Sequence, residues 1–264
     1  MKKYRQGRLI SALMVLSMIF SFLVISVSAS DTEKADCVVL AEVLKDADIE
    51  IKDNNIITIT KTVESSETSA ICINNADTND GEENRVANVN TTVLLINDPE
   101  KTESEYNKLL SAAHEGSNYR TNGDWVSGLG IHCTVYFTVR LVDGIEYYRL
   151  TRIEGGNTKG NASHIIGSGF TISKQSITYG VWGNNLEGIR PIGRTWNAKK
   201  DLSSSANDFE INVSLLHPDW PTVEEYNSIL GATYTVNIRN IRDDVTTELE
   251  IVNHVLNSID IPVV

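Results

Sequence analysis

Cysteine is scarce in this chain: three residues, Cys37, Cys72 and Cys133, among 264. Three thiols cannot build the dense disulfide framework of a small secreted scaffold, and no spacing is CxxC, which argues against a structural zinc site. Methionine occurs only at Met1, Met14 and Met18, and proline only five times, so the linkers are polar rather than proline-rich. Basic residues are outnumbered 23 to 35. That balance argues against DNA or RNA as a partner, since phosphate binding needs a basic face, and against electrostatic docking on anionic lipid. Local catalytic signatures are missing too: there is no HExxH, GxSxG, SxxK, P-loop or H-x-E pattern. A site assembled across a sheet leaves no such motif, so an enzyme is not excluded by this.

What is present begins with an export signal. Residues 1–8 carry Lys2, Lys3, Arg5 and Arg8, residues 9–30 carry no charge, and Leu13 to Ile25 is the apolar heart of that run. Val27-Ser28-Ala29 supplies the small residues a signal peptidase requires, and Asp31 opens a strongly polar chain. An uncharged run of 22 residues is also long enough for an uncleaved anchor. The serines Ser11, Ser17, Ser21, Ser26 and Ser28 within it and the well-placed cleavage motif favour removal. Residues 1–29 are therefore read as a signal peptide and the mature protein as secreted and extracellular, with no integral membrane span after cleavage. Loss of the four leader charges takes the net charge from −12 to about −16.

The mature sequence alternates with period two, the mark of strands with one wet and one buried face. In the clearest run, Thr134–Val142, Val135, Phe137, Val139 and Leu141 alternate with Thr134, Tyr136, Thr138 and Arg140. Asp143-Gly144 follows, a dipeptide that accepts the positive φ angles of a type I′ turn. Folding there sets Val142 against Ile145, Arg140 against Tyr147, Val139 against Tyr148 and Phe137 against Leu150, so apolar meets apolar on one face. A second hairpin is expected over Ile49–Val63, its three-residue loop Asp53-Asn54-Asn55 placing Ile51 opposite Ile57 and Ile49 opposite Ile59. Further strands are predicted at Ala70–Ile73, Thr91–Ile96, Phe170–Ser173, Ile177–Trp182, Phe209–Leu215, Tyr234–Arg239 and Val245–Val252.

One helix interrupts the pattern. Thr102 and Glu105 form a capping box ahead of Tyr106, Leu109, Leu110 and Ala113 at helical spacing. Almost the same words return 120 residues later, at Thr222, Glu225, Tyr226, Ile229 and Leu230. The echo invites a tandem duplication, but the spacing after it differs by about 20 residues between the copies and Gly231 cuts a second helix short, and both argue against one. Many short antiparallel strands between Asn, Gly and Asp turns predict a mainly β fold: an antiparallel β-sandwich, immunoglobulin-like or jelly-roll-like, with one short helix. The chain divides into the signal peptide (1–29), an N-terminal β-rich region ending in the helix (30–120) and a β-sandwich domain (121–264). Asn74–Asn88, Asn157–Ser163 and Asn197–Asp208 read as polar loops on a rigid sheet.

Three groups of words carry a resemblance: Tyr147-Tyr148-Arg149-Leu150-Thr151-Arg152-Ile153-Glu154-Gly155-Gly156, Ile177-Thr178-Tyr179-Gly180, and Gly231-Ala232-Thr233-Tyr234-Thr235-Val236. On these, the stretch from Trp125 to Asn253, about half the chain, resembles a group of small secreted β-rich proteins of Gram-positive bacteria. It departs from them at Asn157, where an aromatic is expected. The resemblance implies export and a sandwich, and carries over no catalytic residue.

Candidate chemistry is sparse. His132 and Cys133 are neighbours, but adjacent strand residues point to opposite faces, a poor arrangement for a Cys–His nucleophile pair; Cys133 reads as a small core hydrophobe. Cys37–Cys72 is the disulfide to test, against three buried thiols. Asp77, Asn79, Asp80, Glu82 and Glu83 around Gly81 fail the EF-hand spacing and read as a solvated acidic loop, so neither metal nor cofactor is expected. The aromatics carry the sharper idea. Tyr179, Trp182, Trp196 and Trp220 fall in the C-terminal half, and exposed aromatics on a sandwich face stack sugar rings; the plainer reading has each Trp plugging the core or its open ends. The sequence thus points first to a secreted non-catalytic binding protein, its partner carbohydrate or a cell-surface protein. One alternative is a membrane-active, bacteriocin-like toxin inserting a hairpin such as Thr134–Ile153. The other is an extracellular hydrolase built from scattered carboxylates.

Overall fold

The structure, a computed structural model, describes residues 37–39, 44–66, 82–117, 119–121, 126–158, 169–185 and 196–258. The leader and the expected strand Ala70–Ile73 lie outside these residues. In chain order the elements are β1 (Cys37–Val39), β2 (Asp48–Asp53), β3 (Ile56–Ser66), β4 (Glu82–Ile96), α1 (Thr102–Glu115), β5 (Tyr119–Thr121), β6 (Val126–Val142) and β7 (Ile145–Thr158). Then come β8 (Phe170–Trp182), β9 (Trp196–Leu202), β10 (Asp208–Asn212), α2 (Val213–Leu216), β11 (Val223–Glu224), β12 (Ser228–Asn240) and β13 (Thr246–Ser258). The fold is mainly β, and every pairing is antiparallel. The larger sheet has the order β10-β7-β6-β4-β3-β2, with β11 also on β7; the smaller has the order β13-β12-β8-β9; β1 and β5 form a separate pair. Among the described residues no helix is long and apolar enough to cross a membrane.

Alternation decides which face is buried. From the larger sheet Val89, Cys133, Val135 and Ile153 meet Ile177, Tyr234, Val236 and Leu249 of the smaller sheet in one buried cluster, so the two sheets face each other across a shared core. Asn253 on β13 ties the layers, its Nδ2 donating to the carbonyls of Ala87 (2.9 Å) and Cys133 (2.8 Å). The run Val93-Leu94-Leu95-Ile96 is buried on both sides. Val93 and Leu95 enter the shared core, whereas Leu94 and Ile96 join Ile49, Ile57 and Ile59 beneath Leu109 and Ala112 of α1. Residue 120 marks no break in hydrogen bonding, because β4 pairs with β6 from Glu82–Arg140 to Ile96–Val126.

The β6–β7 register has all four expected pairs, with Asp143 and Gly144 at φ 52 and 83 in the turn. In the β2–β3 hairpin Ile51 faces Ile57 and Ile49 faces Ile59 as expected, but the turn is Asn54-Asn55, with Asp53 paired to Ile56 and a bulge at Lys52. Phe170–Ser173 and Ile177–Trp182 are one continuous strand, β8. The second half of the Asn74–Asn88 linker is strand, since β4 starts at Glu82. Most of Asn197–Asp208 is likewise β9 and its following turn.

Three local expectations are corrected. The strand from Phe209 ends at Asn212, whose Oδ1 accepts from Leu215 N and starts α2, leaving Leu215 76% exposed. No capping box forms at α1: the Thr102 hydroxyl donates to Asn54 O instead. Glu105, fully buried, accepts from the Tyr119 hydroxyl and from Lys108 Nζ (2.5 Å). The buried stripe of the helix is Thr102, Glu105, Leu109 and Ala112, so Leu110 faces solvent. The echo at Thr222–Leu230 is not a helix. It is β11, a turn with Asn227 at φ 55, and the start of β12. There β12 is flanked by β8 and β13, and two ladders outweigh local helical propensity.

Candidate functional site

β8 and β12 are the central strands of the smaller sheet. Tyr179, Val181, Tyr234 and Val236 point into the core, so the alternate residues point outward. The register aligns those outward residues in rows: Lys174 with Asn237, Ser176 with Thr235, Thr178 with Thr233, Gly180 with Gly231, and Trp182 with Ile229. β13 extends the rows on one side with Glu248, Glu250, Val252 and His254, and β9 on the other with Asp201, Lys199 and Asn197. The hydroxyl rows form a shallow depression of about 330 Å³, with Lys174 and Lys199 on one flank and Glu248 and Glu250 on the other.

Next to the depression Gly180 and Gly231 put no side chain on β8 or β12, and Asn197 and His254 end the same row. A Cβ on Gly180 would come within 2.6 Å of Trp196 O, and one on Gly231 within 2.3 Å of Asn253 O. Neighbouring backbone thus requires glycine at both places, and the result is a two-residue strip without side chains, its Gly231 end buried beside the His254 ring and the half-exposed Trp182 in the next row. Among the described residues Ser176, Thr178 and Thr235 make no side-chain hydrogen bond, and Lys174 and Lys199 have no carboxylate partner. Asn237 Nδ2 donates to Glu248 Oε2 (3.1 Å), and Thr233 Oγ1 lies 3.5 Å from His254 Nε2. Burial lowers the His254 pKa, which favours a neutral ring beside the strip.

The four aromatics singled out in the sequence do not share one surface. Tyr179 is buried, its hydroxyl 3.2 Å from His217 Nε2 and its ring 5.6 Å from that of Trp220. Trp220 stacks on His217 (4.2 Å, 14°), and this trio closes one end of the core. Trp196 pairs with Val181 and so shares the inward side of β9. Only Trp182 stands on the open face. Cys133 is fully buried as a free thiol, and burial pushes its pKa up to about 12; His132 lies on the opposite side of β6. Cys72 and the acidic residues Asp77 to Gly81 lie outside the described residues, and with them the Cys37–Cys72 pairing and the calcium-like loop.

The open half of the larger sheet carries a second polar group. Arg152 lies 3.9 Å over the Tyr136 ring, 3.1 Å from Glu154 Oε1 and 4.0 Å from Glu210 Oε1, while the Tyr136 hydroxyl donates to Glu154 Oε2 (2.6 Å). Each charge there already faces an opposite one. Among the described residues no group of His, Cys, Asp and Glu is arranged to hold a metal ion.

Sequence reading missed Thr178, Thr233, Thr235 and the two glycines. Their signal was present as the polar half of the alternations Ile177-Thr178-Tyr179-Gly180 and Gly231–Val236, read only for their apolar half. Comparison with known proteins adds no assignment: the chain matches no protein-family model, no curated protein and no solved structure.

Proposed function

We propose that this is a secreted, non-catalytic binding protein of β-sandwich type, and that it takes a glycan on the outer face of the smaller sheet. The observation that carries the reading is the juxtaposition of Trp182, the side-chain-free Gly180–Gly231 strip and the hydroxyls of Thr178 and Thr235, which make no side-chain hydrogen bond among the described residues. A sugar ring presents an apolar face to an indole and a rim of hydroxyls to neighbouring donors and acceptors. The strip lets the ring approach the sheet, with Asn197, Thr178, Thr233 and His254 around it. Export is supported by the basic, apolar and small-residue succession of residues 1–29. Membrane insertion of the β6–β7 hairpin is disfavoured, because both strands are paired on their far sides, to β4 and to β10 and β11.

The test is a glycan array with the purified mature protein, followed by titration of the best ligand against Trp182→Ala and Trp220→Ala. Trp182→Ala is expected to weaken binding at least about tenfold with an unchanged melting temperature, and Trp220→Ala to lower the melting temperature with affinity retained. Signal at background for every glycan, or undiminished affinity in Trp182→Ala, sinks the reading.

A further inference from the structure

The two sheets differ in width, and the mismatch recesses one strand edge. β13 runs 13 residues at the margin of the smaller sheet, and its one partner among the described residues is β12. Asn253, bonded to Ala87 O and Cys133 O, fixes it above the seam of β4 and β6. The larger sheet continues past β4 by two more strands, β3 and β2. The N–H and C=O groups of β13 turned away from β12 have no partner among the described residues and open onto a shelf one strand spacing wide, about 5 Å, beside Thr62 and Glu64, and two spacings wide only where β2 pairs with Ile56–Thr60. The shelf shows Thr60, Thr62 and Glu64 of β3, flanked by Asp48 and Glu50 of β2, which share their face. One end is closed where the Thr247 hydroxyl donates to Asp53 Oδ2.

A long edge of this kind is usually blunted by proline, by lysine or by bulges. β13 has neither proline nor lysine, and its one bulge, at Val255, leaves residues 246–254 in regular pairing. Its protection is the shelf. Joining two β13 strands about a two-fold axis would drive two shelves into the same layer, where each projects by at least about 5 Å. A second sheet does not fit; a single extended chain does. Charge narrows its identity, because Asp48, Glu50 and Glu64 lie on the shelf and Glu248 and Glu250 flank the edge, while Lys52 is held by Glu50 at 2.7 Å. We propose that this slot binds a basic, extended peptide segment of a partner protein by strand addition to β13. Main-chain hydrogen bonds supply the affinity, and the acidic floor selects the charge.

The proposal is independent of the glycan reading and is tested with a different probe. The mature protein is titrated with a capped nine-residue peptide of alternating lysine and valine, and with the same peptide fully N-methylated, which keeps the charges but donates no backbone hydrogen bonds. The unmodified peptide is expected to bind, the methylated one to bind at least about tenfold more weakly, and amides within 246–254 to exchange more slowly in the complex. Glu64→Lys/Glu250→Lys is expected to weaken the unmodified peptide by a similar factor, whereas Trp182→Ala has no effect. Equal binding of both peptides would mean adhesion to an acidic surface only, and would overturn the proposal. So would absence of binding, or protection of β13 that depends on protein concentration alone and marks a second copy in the slot.

Discussion

On the open half of the larger sheet, Tyr136, Arg152, Glu154 and Glu210 hold one another; on the outer face of the smaller sheet, Ser176, Thr178, Thr235, Lys174 and Lys199 hold no other side chain among the described residues. The residue types are alike, and both faces come from strands buried on their other side. What differs is spacing and sign. Arg152 sits opposite Tyr136 on one neighbour and Asn212 on the other, with Glu154 and Glu210 one row away, so cation, ring and anions close on themselves. Across the smaller sheet Lys174 on β8 and Lys199 on β9 stand two and three strand spacings, about 10 and 14 Å, from the glutamates of β13, and no ion pair joins them among the described residues. A closed network stabilises the fold and offers little to a ligand; an open one does the reverse.

The largest effect should come from uncovering the rest of the larger sheet. Leu109 is fully buried between α1 and Ile57, Ile59 and Leu94. Leu109→Ala should cost about 3 kcal/mol, lost transfer energy plus an unfilled cavity, read from the urea midpoint. Glycan binding measured below the new transition should not change, because nothing in that cluster reaches the outer face of the smaller sheet. A loss of affinity in the folded variant would show that the two faces are coupled.

Tyr136→Phe opens the closed network while keeping the ring under Arg152. Losing the 2.6 Å bond to Glu154 should cost about 1 kcal/mol. Burial first, and then Glu154, pushes the Tyr136 pKa up to about 12. In the unfolded chain the phenol ionises near pH 10, so between roughly pH 10 and 12 the folded state binds more protons and stability falls as pH rises. The variant should show a shallower alkaline decline by up to one proton. Tyr234 and Cys133, also pushed up to about 12, retain theirs. An unchanged slope would place Tyr136 outside the network.

Much of the core was legible because burial on one face imposes period two, and register followed wherever a turn residue fixed the fold-back, as at Asp143-Gly144. The N-terminal half of β4 was not, because Asn84, Asn88 and Asn90 look like loop residues until β3 and β6 take up their backbone groups on both sides. Thr102–Tyr106 and Thr222–Tyr226 read alike and fold differently, since only the first has an apolar sheet face to cover. The outer face escaped notice for a related reason. Its polar residues carry no periodic signal of their own, and a glycine pair in adjacent strands emerges only from the register. Asn157 shows the limit from the inside: buried in the core, its Nδ2 donates to Gln175 Oε1 (3.1 Å) and Ala206 O (3.0 Å), partners that no local pattern announces.

The smallest effect concerns one histidine on each face. Burial lowers the pKa of both His132 and His254, but at His132 the charges of Asp208 and Glu154 pull the other way, whereas at His254 desolvation acts alone. As pH falls through about 6.5, the unfolded chain takes up these protons before the folded one, so stability declines toward acid until the folded rings protonate as well. Removing either ring should flatten the decline: His254→Gln and His132→Gln should each reduce the acid slope between about pH 6.5 and 5. Both variants are to be followed by denaturation midpoint at closely spaced pH values. An acid slope left unchanged by His254→Gln would mean that this ring keeps its water in the folded protein, since desolvation is the one cause lowering its pKa.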